Sequence, residues 1–232
     1  MTTFALDTST PSPALALVQD DGSAATLRLD ASPNAGRRVM LAAHGLFVST
    51  GIDVADVRRV VVGVGPGAFT GVRIGIATAL GLGQALGCPV EGVVTHEAAA
   101  LGMAQVAPDG ALLVPASDAR RGELFAAAYR WDGATLTTLV EPCAIAPADL
   151  ASLVAERLDE RGAVVGGNGA QILAPHLPAG AYALAAGSPG HGIDARHLVA
   201  RADAGAAAPV RPVYARLPDA EVNRLRNLEA AS

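Results

Sequence analysis

The spacing of apolar positions changes several times along the chain, and each change marks an element. Phe4 to Asp7 and Ala14 to Val18 are short apolar runs on either side of the turn-rich DTSTPSP, the pattern of a strand hairpin. Asp20-Asp21-Gly22 turns the chain into a third strand, where Ala25, Leu27 and Leu29 alternate with polar residues and so share one face. From Arg37 to Thr50, Val39, Ala42, Ala43, Leu46 and Phe47 fall on one side of a helix that Gly51 ends. Val60, Val61 and Val62 are β-branched and uninterrupted, which suits a strand buried on both faces. Gly63, Gly65, Pro66 and Gly67 break that period, Thr70 has the chemistry of an N-cap, and a helix runs on until Gly87 and Pro89. Val90 to Val94 is a further buried strand, and Thr95 caps a helix reaching about Val106.

A second unit begins at the APDG around Asp109. Leu112 to Ala116 and Leu124 to Trp131 read as strands joined by SDARRG, with Leu136 to Val140 as a third. Pro147 starts a helix running to about Arg161, Ala163 to Val165 is a buried strand entering Gly166-Gly167-Asn168-Gly169, and a last helix spans Ala195 to Ala202. Asp7 and Asp118 each end a strand that opens a hairpin, a weak internal repeat that implies a duplicated α/β architecture. The expected division is residues 1–106, a smaller unit 107–208, and an extended segment with a polar tail 209–232, its PVRPVYARLP kept out of helix by three prolines.

The strand, glycine loop and helix around Val60 to Pro89 have the outline of a phosphate-binding turn, but the details differ. Val72 and Arg73 follow Gly71 where a P-loop needs Lys and Ser/Thr, and the sixth position from Gly65 is Thr70 rather than Gly. The helix carries a stripe of small residues, Gly71, Gly75, Ala79 and Gly83, with Val72 and Ile76 beside it. A glycine in a helix interior costs roughly 1 kcal/mol relative to Ala, so the stripe needs a reason: close packing on the chain's own sheet, or the approach of a helix from another chain. Arg73, Gln84 and the glycine content argue against a membrane span.

With 232 residues, 51% hydrophobic and 17% charged, the chain is globular with sizeable cores. A net charge of −5 and 3% aromatic residues give neither an electrostatic footprint nor stacking platforms for nucleic acid. No lysine is present, which removes Schiff-base and lysine–phosphate chemistry. Cys88 and Cys143 have no motif spacing, and MTTFALDTS lacks the features of a signal peptide; a cytoplasmic location is expected.

The combination FALDTSTPSPALAL, GVGPGAFTGVRIGIATALGLG, SDARRGELFAAAY and PVRPVYARLP resembles the bacterial TsaB (YeaZ) family along nearly the whole chain. The resemblance implies two ribonuclease-H-like halves of the actin/sugar-kinase/Hsp70 ATPase class with degraded phosphate loops. It also implies a non-catalytic subunit that pairs with TsaD in making threonylcarbamoyladenosine beside the anticodon of tRNAs reading codons that begin with A. The expected partners are TsaD, the ATPase TsaE and, when alone, a second copy; tRNA is met only through the complex, no membrane is involved, and the chain has no cofactor of its own. Whether ATP or ADP sits at the partner interface stays open. The interface would lie on the two helices of the first half, at Val39, Ala43, Leu46, Phe47, Gly71, Val72, Gly75, Ile76, Ala79 and Gly83. Related sequences often begin the first helix with His and a small hydroxyl or acidic residue, where this chain has Asn34-Ala35-Gly36.

The rival reading is a free-standing ATPase or glycoprotease-like peptidase of the same fold, with Asp7 and Asp118 at its cleft and Gly65, Gly67 and Thr70 near a nucleotide. Thr8 and Ser9 follow Asp7, with no glycine to admit a phosphate, and Asp118 has Ala119 and Arg120. No two of His44, His96, His176, His191 and His197 are one helical turn apart, so no metal is expected. A strand-end Asp bonded to its own turn is the simpler expectation for Asp7.

Overall fold

The computed structural model describes residues 1–32 and 35–216. The strands are β1 (Thr2–Asp7), β2 (Ala14–Gln19), β3 (Ala24–Arg28), β4 (Val57–Gly63) and β5 (Val90–Val93), followed by β6 (Leu112–Arg120), β7 (Glu123–Trp131), β8 (Leu136–Ile145), β9 (Ala163–Gly166) and β10 (Ala181–Ala183). The helices are α1 (Val39–Thr50), α2 (Phe69–Leu86), α3 (Thr95–Ala104), α4 (Pro147–Arg157), α5 (Ala170–Leu173) and α6 (Arg196–Asp203). The first sheet has the order β3-β2-β1-β4-β5, the second β10-β9-β6-β7-β8. In both, the first three strands of the half are antiparallel and the last two lie parallel to the first. The duplication expected from Asp7 and Asp118 is therefore present in the topology.

Strand alternation sorts the cores. Phe4, Leu6, Leu15, Leu17, Val60 and Val62 face α1 and α2, whereas Ala5, Ala14, Ala16, Val61 and Val93 face α3 and α6. In the second half Leu112, Val114, Leu124 and Val165 face α4 and α5. On that sheet's other face Leu113, Tyr129 and Val164 meet Ala100 and Met103 of α3. Thus α3 lies between the sheets, giving Ala98 to one and Ala100 and Met103 to the other. The helices cross the sequence boundary near residue 106: α6, from the second segment, completes the first sheet's core through Leu198, Val199 and Ala202.

The segment after α6 straps the halves together. Ala208 pairs with Gly92 beside β5, Val213 N–H donates to Val64 O at 2.8 Å, and Ala144 N–H at the end of β8 donates to Ala215 O at 3.2 Å. The tail from Asp219 and residue Asn34 lie outside the described residues. A 3-10 turn, Ala35–Arg38, leads into α1.

Two helix stops follow their glycines: Gly51 and Gly87 adopt φ of 69° and 64°, the left-handed conformation in which a helix ends. The helix starts do not follow the hydroxyls. The α2 N-cap is Ala68, with Thr70 inside the first turn, and the α3 N-cap is Val94. Thr95 has another task, described below.

Candidate functional site

In the first half, the loop of the β1–β2 hairpin and the loop between β4 and α2 close on each other. Asp7, fully buried, accepts hydrogen bonds at Oδ1 from Ser9 N–H (2.8 Å) and Ser9 Oγ (2.7 Å), and at Oδ2 from Thr95 Oγ1 (2.6 Å). Burial raises the carboxyl's pKa, while the bonds from Thr95 and Ser9 pull it back down. Thr95 also accepts from Gly65 N–H at 3.1 Å and donates its own N–H to Gly65 O at 2.8 Å. A Cβ on Gly67 would overlap the Ser9 backbone, and Gly65 is covered by the Val213 carbonyl of the strap. The loops occupy each other's space, so Asp7 is a clasp. It lines neither cavity described next.

The cleft between the halves holds two cavities. One, of about 530 Å³, is lined by Thr10, Arg28, His96, Ser117, Asn168 and His191 among others. His96 is 3% exposed, neither ring nitrogen has a partner among the described residues, and burial holds its pKa down to about 3; at neutral pH it is an uncharged imidazole. The second, of about 500 Å³, opens at the start of α2 and is lined by Gly67, Phe69, Thr70, Asp118, Arg120 and Tyr214 among others. Of the residues expected near a nucleotide, Gly67, Thr70 and Asp118 therefore meet at one cavity, and Asp7 and Gly65 do not. Asp118 is itself engaged, accepting from Arg120 N–H at 2.7 Å and pairing with the Arg120 guanidinium at 3.2 Å.

The residues expected at a partner interface require a correction. Val39, Ala43, Leu46, Val72, Gly75, Ile76, Ala79 and Gly83 are buried in the chain's own core, and Phe47 packs on Phe4 with ring centroids 5.6 Å apart. A Cβ on Gly71 would overlap the Thr8 carbonyl, one on Gly75 would stand 2.5 Å from Thr8 Oγ1, and one on Gly83 would overlap Val90. The small stripe is small because β1, its hairpin and β5 press against it. The outward faces carry other residues: Met40, Leu41 and Val48 on α1, Phe69, Arg73 and Leu80 on α2. Leu41 is 72% and Val48 67% exposed, and a groove of about 480 Å³ runs beside them between Met40, His44, Val48, Val54 and Leu82. Sequence reasoning missed this face. It also missed the isolated His96 and Ser117 and the Phe69–Arg73–Tyr214 cluster, which joins residues 141 apart in the chain.

Two mixed sheets of the same order, facing each other across a cleft, define the actin/sugar-kinase/Hsp70 ATPase class. The fold is shared with the activator of 2-hydroxyisocaproyl-CoA dehydratase from Clostridium difficile (TM-score 0.51, 12% identity, 88% of this chain and 97% of that one). YeaZ from Pseudomonas aeruginosa is nearer, with TM-score 0.72 and 26% identity over 92% of this chain and 99% of that one. The profile of the family described as "TsaD: tRNA N6-adenosine threonylcarbamoyltransferase" matches residues 29–175. The tRNA threonylcarbamoyladenosine biosynthesis protein TsaB of Bacillus subtilis is 32% identical over 68% of this chain and 67% of its own length; that of Escherichia coli is 32% identical over 61% and 63%. The chain belongs to the TsaB (YeaZ) family of tRNA threonylcarbamoyladenosine biosynthesis.

Proposed function

We propose that this chain is the non-catalytic partner of TsaD, docking it through the outward faces of α1 and α2 so that TsaD transfers the threonylcarbamoyl group to the adenosine beside the anticodon. The observation that carries the reading is the exposure of large apolar side chains on the outer sides of both helices, Met40, Leu41 and Val48 on α1 and Leu80 on α2. Helices that bury one apolar side and leave a second in water have an unmet hydrophobic surface, and such surfaces mark protein interfaces. Arg73 on α2 and the groove beside Val48 give that face a charged anchor and a recess. Alone, the chain covers this face with a second copy. TsaE joins as the ATPase, the assembly as a whole holds the tRNA, and its location is the cytoplasm.

The absence of catalysis by this chain is supported by the Asp7 clasp. A carboxylate with three protein donors, closed off from both cavities, is not placed to bind a metal–phosphate complex or to take a proton from a substrate. The test is threonylcarbamoyladenosine formation on tRNA by reconstituted TsaD, TsaE and threonylcarbamoyl-adenylate synthase, with and without this chain, alongside size exclusion. Dependence on the chain together with co-elution with TsaD is the expected result. Full modification without it, or ATP hydrolysis by the chain alone that Asp7→Ala abolishes without unfolding, overturns the reading.

A further inference from the structure

The average composition, acidic and poor in aromatics, hides one concentration. Of the four Phe, three Tyr and one Trp in the sequence, Phe69, Phe125 and Tyr214 all line the cavity of about 500 Å³ at the start of α2. Phe69 and Tyr214 stack with centroids 5.5 Å apart and planes at 26°. Arg73 lies 3.6 Å above the Phe69 ring and its Nε donates to the Tyr214 hydroxyl at 3.0 Å, which fixes the stack while both rings stay exposed to solvent. On the far wall Arg216 sits 5.6 Å over Phe125, donating to Glu123 and to the Ala119 carbonyl. The hairpin tip above it places Arg120, Arg121 and Gly122 at positive φ (65°, 56° and 79°), the geometry of a tight hairpin turn. Arg120 extends into solvent from there.

Two polar features lie at the wall of the same space. The 18-residue α2 begins there with no side-chain cap and no acidic residue in its first turn, so its positive end is not neutralised locally. Ser117 stands in the wall shared with the other cavity; its hydroxyl is buried and has no hydrogen-bond partner among the described residues. A buried hydroxyl without a partner is costly unless something supplies one.

We propose that this cleft holds one nucleotide of a single-stranded RNA segment, its base on the Phe69–Tyr214 stack and its phosphate at the α2 N-terminus between Arg120 and Arg216. The chain would then touch RNA itself, at a place next to the α2 face offered to TsaD. Stacking accepts any base, and a phosphodiester brings a single charge that the helix end meets together with Arg120 and Arg216, each of which also pairs with a carboxylate, Asp118 and Glu123. A metal-bound triphosphate fits less well: Asp7 is sealed off, and the only carboxylate lining the cavity among the described residues, Asp118, is already paired with Arg120. The choice of RNA as the source of the nucleotide rests on the proposed function; the site rests on its own geometry.

The experiment is fluorescence anisotropy of a labelled single-stranded RNA oligonucleotide titrated with the isolated full chain at two salt concentrations, with ATP as competitor. It needs no TsaD, so its failure and a failure of the heterodimer are told apart. Saturable binding that weakens with salt is expected, about tenfold weaker in Tyr214→Ala and in Arg120→Ala. Arg58→Ala, an exposed arginine of β4 that does not line the cleft, binds as the native chain does. Absence of RNA binding, native affinity in Tyr214→Ala, or complete displacement of RNA by ATP each overturns the proposal, the last in favour of a free nucleotide.

Discussion

The inner and outer faces of α2 obey different rules although they belong to one helix. On the inner face Gly71, Gly75, Ala79 and Gly83 are held small by atoms of the same chain, among them the Thr8 carbonyl and hydroxyl and the Val90 side chain. On the outer face Phe69, Arg73 and Leu80 are exposed, and Phe69 and Arg73 contact the Tyr214 ring of the strap. The same contrast holds on α1, where Val39, Ala43 and Leu46 are buried while Met40, Leu41 and Val48 are not. A stripe that looks made for a partner is spent on the fold, and the apolar surface left in solvent is on the other side of the helix. Size restriction and exposure are thus separate signals, and only exposure leaves apolar surface free for the docking proposed above.

The comparison breaks most visibly at Gly75. Gly75→Leu places a side chain where a Cβ alone stands 2.5 Å from Thr8 Oγ1, and a loss of about 3 kcal/mol or more is expected in chemical denaturation. This substitution therefore reports on folding, as does Ala79→Arg at a site with no exposure; neither isolates a partner interface. Next comes Asp7→Ala, which leaves the Ser9 N–H, the Ser9 hydroxyl and the Thr95 hydroxyl without their acceptor. About 2–4 kcal/mol of stability should be lost, whereas any activity of the assembly that survives under folding conditions should be unchanged.

His96 gives a smaller, pH-dependent effect. Its folded pKa of about 3 lies below the ordinary 6.5, so the unfolded chain binds the proton first. Stability contributed by the neutral ring is present above pH 6.5 and lost as pH falls toward 3, at up to about 1.4 kcal/mol per pH unit. Asp7 acts in the opposite direction, because a carboxyl raised by burial gains its proton earlier in the folded state. His96→Leu should flatten the decline in urea midpoints between pH 6.5 and 4; an unchanged slope would assign the acid sensitivity to other groups. The smallest effect has the opposite sign. Gly45 and Gly81 have open space where a Cβ would go and lie on the outer side of their helices. Gly45→Ala and Gly81→Ala should each stabilise the isolated chain by about 0.5–1 kcal/mol, in contrast to Gly75 on the inner side.

Much of the fold was legible in the order of residues. The Val60–Val62 run, the alternation at Ala25, Leu27 and Leu29, and the two Asp-ended hairpins correspond to β4, β3 and the paired sheets. The four-residue α5 and three-residue β10 were not found, since elements that short carry no period to read. The direction of the small stripe was also hidden: α1 and α2 are apolar around much of their circumference, so periodicity finds the helices without saying which side is inside. Thr95 shows the limit most clearly. A hydroxyl ahead of a helix has the chemistry of a cap, but its bond runs to Asp7, 88 residues away, and only the fold brings the two together. The aromatic cleft was invisible for the same reason, because Phe69 and Tyr214 are far apart in the chain.

The most direct test of the account introduces charge on the outer face alone. Leu41→Asp combined with Val48→Asp changes two side chains exposed to solvent and should leave the thermal midpoint of the isolated chain within a few degrees of the native value. The account predicts that this variant no longer co-elutes with TsaD and no longer supports threonylcarbamoyladenosine formation. A double variant that still forms the heterodimer and supports full modification would show that the outward faces of α1 and α2 are not where TsaD binds.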